Sequence, residues 1–217
     1  MLLSRFLLRL TTTRTTPKRG LSWSVVSEIH QSDFRQHASP QRPWIEHAKG
    51  SWPQVHDEAF VHPLACLIGQ VSIDADCSIW PHAVLRADGG RIQIGKGSNI
   101  QDGTVVHLTE NLSHTLVGEY CTIGHRVILH GAIVGSFSVV GMGAIVLDNA
   151  ELGEYCMVGA GALITAGKKF PSYTLIMGSP AMPIREITQK EKDYIDLGWK
   201  TYIDLARNYI KNGIQTK

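Results

Sequence analysis

Ten histidines occur in this chain, and the spacing of three of them within a repeating pattern suggests chemistry. His107 follows the aliphatic Val106, and His130 follows Leu129, which are equivalent places in two repeats. Imidazole is both a base near neutral pH and a common metal ligand. By repeat counting, His107 and His130 share a face one coil apart, where stacked strands lie roughly 4.8 Å from each other. Two imidazoles at that distance can share one ion whose bonds to nitrogen are roughly 2.0–2.1 Å. His125 comes two residues after Ile123 and counts to a different face. It can join the other two only across an interface between copies. The spacing therefore predicts a two-plus-one zinc site between the subunits of a cyclic trimer.

The elements that must position these residues announce themselves by period. From about residue 68 an aliphatic side chain recurs every sixth position. Val117, Ile123 and Leu129 form one run; Val134, Val140, Val146, Leu152, Val158 and Ile164 form a second, after a single five-residue step. Ile94, Ile100 and Val106 keep the same beat upstream, as do Val71, Cys77 and Ala83 with Ile73, Ile79 and Leu85. A six-residue period is one of the β-helix repeats. The step from Val106 to Val117 is too long by five residues, so the chain must loop out around Thr109–Ser113. Seventeen of the 21 glycines lie between Gly69 and Gly178. They are expected to relax the backbone at the corners of the coil. Helix-period segments are missing from 68 to 170, which disfavours an α/β fold. The expected fold is an all-β solenoid that resembles the left-handed parallel β-helix, spanning 61–187.

The tail changes period. Thr188 and Glu191 make a T-x-x-E capping box, and Ile195, Trp199, Tyr202, Ala206 and Tyr209 follow on one helical stripe. A C-terminal α-helix of 188–213, closed by Gly213, is expected to pack alongside the prism. Residues 28–60 read as an extended lead-in, with Pro40, Pro43 and Pro53. Residues 1–27 contain Arg5, Arg9, Arg14, Lys18 and Arg19 but no acid, and Leu2, Leu3, Phe6, Leu7 and Leu10 recur at helical spacing. This pattern reads as a mitochondrial transit peptide, or otherwise a basic arm. Without it the net charge of +2 becomes −3, so the basic balance belongs to the leader. Neither value argues for nucleic acid, and no apolar run is long enough for a transmembrane segment. Cys66, Cys77, Cys121 and Cys156 are too scattered for a zinc-thiolate motif or a disulfide framework and read as buried free thiols.

An ordered set of motifs adds a resemblance. Arg86-Ala87-Asp88, Asn99-Ile100-Gln101-Asp102-Gly103, His107, Gly124-His125, and Leu129-His130-Gly131 are followed by Val140-Gly141-Met142-Gly143-Ala144 and Gly178-Ser179-Pro180-Ala181. Over about residues 55–212 the sequence resembles the γ-class carbonic anhydrases. That resemblance implies a trimer, homomeric or mixed, holding zinc (or iron or cobalt) on His107 and His130 of one chain and His125 of its neighbour. It implies hydration of CO₂ to bicarbonate by a metal-bound hydroxide, since zinc lowers the pKa of bound water to about 7. Gln101 would orient the nucleophile or CO₂, with Asn99 and Tyr202 as weaker members of the pocket. Arg86, Asp88 and Asp102 would organise the trimer interface. Related mitochondrial subunits sit on the matrix side of the inner membrane in respiratory complex I, a partner this resemblance implies.

The sequence also departs from that pattern. Gly89 stands where some active members carry a Glu, and Glu110 is the only acid in the short loop that could supply a proton shuttle. These differences favour an assembly role over fast turnover. A free mitochondrial carbonic anhydrase is one alternative. Another is a hexapeptide-repeat acyltransferase using acetyl-CoA or an acyl carrier protein, which needs a single catalytic His. The plainer readings are an ion-pair network for Arg86, Asp88 and Asp102, corner hydrogen bonding for Asn99 and Gln101, and a solvated acid for Glu110.

Overall fold

The structure is a computed structural model that describes residues 43–214. The leader at 1–27 and the part of the lead-in before residue 43 lie outside the described residues. The chain winds as a left-handed parallel β-helix of about seven turns, with one C-terminal helix. Each turn contributes a short strand to each of three faces.

The first face stacks the beginning of Val84–Ile94 with Val105–His107, Ile128–His130, Ile145–Val146 and Leu163–Ile164. The second stacks the end of Val84–Ile94 with Thr115–Val117, Ile133–Val134, Glu151–Leu152 and Lys169–Phe170. The third runs from Phe60–Val61 through Ser78–Ile79, Asn99–Ile100, Thr122–Ile123, Val139–Val140 and Met157–Val158 to Thr174–Gly178. There Ala181–Glu186 turns back antiparallel and ends the parallel stacking. At the other end, Trp44–Glu46 pairs with the start of Cys66–Ile73, and Gln54–Val55 pairs with its end.

The six-residue beat is the beat of the core. Leu85, Val106, Leu129, Val146 and Ile164 are fully buried behind the first face, and Ile79, Ile100, Ile123 and Val140 behind the third. A branched aliphatic side chain moved from water to such a site is worth about 1.5–3 kcal/mol, so a column of them holds successive coils together. Cys77, Cys121 and Cys156 are free and buried, and Cys66 is partly buried. Burial pushes the Cys77 and Cys121 thiols up to about 12, which makes them core atoms and not nucleophiles.

The glycine excess has two causes, not the one expected. Gly143 sits at a corner with φ +69 and open space around its α-carbon, the conformational role foreseen. Gly141, directly after the buried Val140, is outside the left-handed region. A Cβ there would lie 2.6 Å from the backbone nitrogen of Ala160 in the next coil. Glycines that follow the aliphatic position thus let neighbouring coils approach.

Many corners with positive φ carry side chains instead. Tyr120, Phe137, Tyr155 and Tyr173 occupy equivalent corners with φ of 55, 57, 52 and 63. The left-handed conformation costs an L-residue roughly 1–2 kcal/mol. Each of these residues donates its backbone N–H to a carbonyl of the preceding coil, at 2.8–2.9 Å. Their rings stack in one column, with centroids 5.3, 4.9 and 5.4 Å apart. Each stacked pair adds about 0.5–1.5 kcal/mol beyond its buried area, which offsets part of the backbone cost.

The C-terminal helix, Gln189–Lys211, begins with the capping box formed reciprocally by Thr188 and Glu191. It lies against the third face beside Phe60–Val61, Ser78–Ile79, Asn99–Ile100 and Thr122–Ile123. Ile195, Ile203 and Ala206 are its buried residues. Tyr202 and Tyr209 pack with Phe60 and Trp80 in a separate aromatic cluster, and Trp199 rests on Tyr120 at 4.6 Å. Ile203 was absent from the expected stripe because the buried line drifts by one residue along the helix.

Candidate functional site

Two groups of side chains emerge, on different faces. On the first face His107 and His130 pair in register, one coil apart, and their ring centroids are 5.2 Å from each other. The Nδ1 of His107 is 2.6 Å from the Arg86 carbonyl oxygen. The Nδ1 of His130 is 3.1 Å from Oδ2 of Asp148. Both rings are thus held from behind, which leaves each Nε2 pointing away from its anchor.

Asp148 is a residue that the sequence did not single out. It also accepts hydrogen bonds from the Ser113 hydroxyl, at 2.5 Å, and the Thr109 hydroxyl, at 3.2 Å. Burial alone would raise its pKa; the bonds from Ser113 and His130 outweigh that and hold it below the usual carboxylate range. It therefore fastens the loop Thr109–Ser113 to the histidine beneath it. No motif marks this role, because loop and carboxylate are 35 residues apart in sequence.

Arg86 bonds Asp88 of its own chain, and that contact, opposed by burial, lowers the Asp88 pKa. Glu110 pairs with Lys49 and lines a cavity of about 210 Å³ with Asp88 and Gly89. A Cβ at Gly89 would meet the Cβ of Glu110 at 2.7 Å. The missing side chain at position 89 is thus what admits the loop acid.

On the third face His125, Gln101 and Tyr202 line one cavity of about 250 Å³, with Thr122, Val139 and Met142. His125 Nδ1 lies 3.0 Å from Oδ2 of Asp102. Gln101 is nearly buried, and its amide donates to Asn99 Oδ1 at 3.1 Å. Asn99 is fully buried and donates in turn to the Cys121 carbonyl and the Thr122 hydroxyl. Asn99 therefore positions Gln101 and does not itself reach the cavity. Burial, and then the charge of Asp102, push the Tyr202 pKa up, so its hydroxyl stays a donor across the physiological range.

The expected zinc cofactor, with its iron and cobalt variants, does not stand. Among the described residues no three His, Cys, Asp or Glu side chains gather where they could hold a metal ion. The faces separate them: of the three site histidines, His107 and His130 meet among the described residues and His125 does not. Solved structures similar to this chain carry transferase names. CO₂ hydration through a zinc hydroxide falls with the zinc.

Comparison with known proteins agrees with the repeat. Residues 131–166 match the family model described as bacterial transferase hexapeptide (six repeats). The chain is 44% identical over 158 residues to the carnitine operon protein CaiE of Salmonella typhimurium, covering 73% of this chain and 79% of that protein. A hexapeptide transferase family protein from Anaplasma phagocytophilum superposes with a TM-score of 0.74 at 41% identity, over 76% of this chain and 98% of that one. A putative acetyltransferase from Bacillus cereus gives 0.76 at 32% identity, over 78% and 97%. Repeat, coil geometry and these relatives together make the chain a member of the hexapeptide-repeat transferase family.

Proposed function

We propose that the protein is an acyltransferase that works as a trimer, passing an acyl group from a thioester such as acetyl-CoA to a small hydroxyl or amine acceptor. The observation that carries this reading is His125, with the Asp102 carboxylate 3.0 Å from its Nδ1 and the ring lining the 250 Å³ cavity. An imidazole with a carboxylate beside Nδ1 offers Nε2 as a general base. It takes the proton of the acceptor as the oxygen or nitrogen attacks the thioester carbonyl. The tetrahedral intermediate then expels the thiolate, which recovers that proton from the imidazolium. Tyr202, kept protonated, donates to the developing oxyanion. Gln101 orients the acceptor, and the apolar wall of Val139 and Met142 takes the acyl chain. The transferase names of the relatives support the same chemistry.

The test is thiol release from acetyl-CoA with a panel of sugar, amine and alcohol acceptors. His125→Ala is expected to lower turnover by about 10²–10⁴-fold, the usual worth of a general base, without changing the thermal melt. Failure of acetyl-CoA to bind saturably would overturn the reading.

A second reading is favoured by exposed apolar side chains: Trp44, Tyr194, Leu197, Met142, Met182 and Ile184 are each more than half exposed. Such a surface suits a subunit built into a larger assembly. In this reading a mixed or homomeric trimer, its chains carried into the mitochondrion by the leader, sits on the matrix side of respiratory complex I, organised by Arg86, Asp88 and Asp102. Co-migration with a large membrane complex on native gels is the expected result; migration only as a free trimer would remove it.

A further inference from the structure

A third cavity, of about 480 Å³, opens beside the second face, on a side of the prism that carries none of the three site histidines. Its wall includes Trp52, Gln54, Gln70, Ser72, Arg91 and Gln93. The register explains the order of these groups. Gln54 pairs with Ser72, and Ser72 pairs with Gln93, so three polar side chains climb three successive coils in line. Outward positions on such a face have no packing task. Yet this stretch carries amides and a hydroxyl where the next rung up has Leu116.

Trp52 forms one side of the cavity and is 62% exposed. Its ring meets His47 at 5.4 Å, which fixes the indole without covering it. Arg91 is exposed, and its backbone N–H bonds Nδ1 of His114. Among the described residues the Arg91 guanidinium has no ion-pair or hydrogen-bond partner, and no acid lines this cavity. The side-chain amides of Gln54, Gln70 and Gln93 are equally uncommitted. An apolar aromatic plate, a ladder of uncommitted amides and one lone cationic fork form a coherent set. The plate suits the C–H face of a saturated ring. The amides can both donate to and accept from hydroxyl groups. The guanidinium matches a planar carboxylate bidentately. A phosphate would call for more than one cation, and Arg91 is the single cationic side chain in the lining.

We infer that this cavity binds a sugar acid, a hydroxylated six-membered ring bearing a carboxylate, with the ring on Trp52, the hydroxyls on Gln54, Gln70, Ser72 and Gln93, and the carboxylate on Arg91. The site is independent of the acyl-transfer chemistry proposed above.

The experiment is a titration of the full chain with glucuronate and with glucose, read by NMR at the indole N–H of Trp52. Five tryptophans are present, and Trp52→Phe identifies the signal. Saturable shifts with glucuronate are expected, with a Kd of about 1 mM, and glucose at least tenfold weaker. Trp52→Ala, followed by calorimetry, weakens glucuronate at least tenfold. Arg91→Gln leaves a weak site that no longer prefers the acid. No saturable shift overturns the inference, as does equal binding of the two sugars. Protection of the Trp52 indole from oxidation by N-bromosuccinimide in the ligand-free chain also overturns it, since the chain would then fill its own cavity.

Discussion

Asp148 holds the ring of His130 from one coil further along the solenoid, with its Oδ2 3.1 Å from Nδ1. The same carboxylate receives the hydroxyls of Ser113 and Thr109, so histidine and loop share one anchor. Replacing it by Ala strands all three groups. Asp148→Ala is expected to cost about 1–3 kcal/mol, the usual penalty for partners left unpaired. It should also raise hydrogen exchange in the loop Thr109–Ser113 more than anywhere else. Urea unfolding with exchange mass spectrometry checks both.

Asp102 lies 3.0 Å from His125 Nδ1 as an ion-pair partner, more exposed than the hydrogen-bonded pair of Asp148 and His130. Asp102→Asn keeps the shape but lets the side-chain amide face Nδ1, so the ring can turn to the wrong tautomer. If His125 is the base, acetyl transfer should fall by about 10²-fold or more while acetyl-CoA binding stays constant. Unchanged turnover would mean that the carboxylate does not orient the base.

Two glycines two residues apart should respond differently to an added side chain. Gly141→Ala puts a methyl against the backbone of the next coil and should cost about 1–3 kcal/mol by overpacking. Gly143 has φ +69 and free space, so Gly143→Asn should be nearly neutral, since Asn tolerates that conformation. Thermal melts of the two variants separate close approach from backbone conformation.

The helix cap provides a pH signature. Bonds from Arg185, and then from Thr188, hold the Glu191 pKa down at about 2, against 4.5 for the free group. A carboxylate with a lowered folded-state pKa stabilises fully above its unfolded value and loses that contribution as pH falls through the folded one. The melting advantage of the wild type over Glu191→Gln should therefore be constant above about pH 5.5 and shrink from pH 4.5 towards 2. Circular dichroism melts across that range test it. The difference should be small, because the ion pair is exposed and solvent-screened.

Along the aromatic column the loss of stability, read by thermal melts, should scale with the number of stacked pairs removed. Phe137 stacks on both Tyr120 and Tyr155, so Phe137→Leu removes two stacked pairs, worth about 1–3 kcal/mol together. Replacing Tyr173, which stacks only on Tyr155 within the column, should cost about half as much.

The six-residue beat determined the solenoid on its own, because an inward aliphatic at a fixed interval leaves the chain few other ways to bury it. It determined as well that His107 and His130 face each other, since register along a stack follows from counting. The capping box likewise marked the start of the helix, because its chemistry is local to four residues. Tertiary structure decided everything that depends on distance across coils. It set Asp148 under His130, gave Asp102 to His125, and used Asn99 as a brace for Gln101. The separation of His125 from the other two histidines was already in the count of faces; the folded chain added the cavity that His125 shares with Gln101 and Tyr202. The physical reason is that a period specifies which face a side chain leaves from, whereas only the packed coils specify what waits there to meet it.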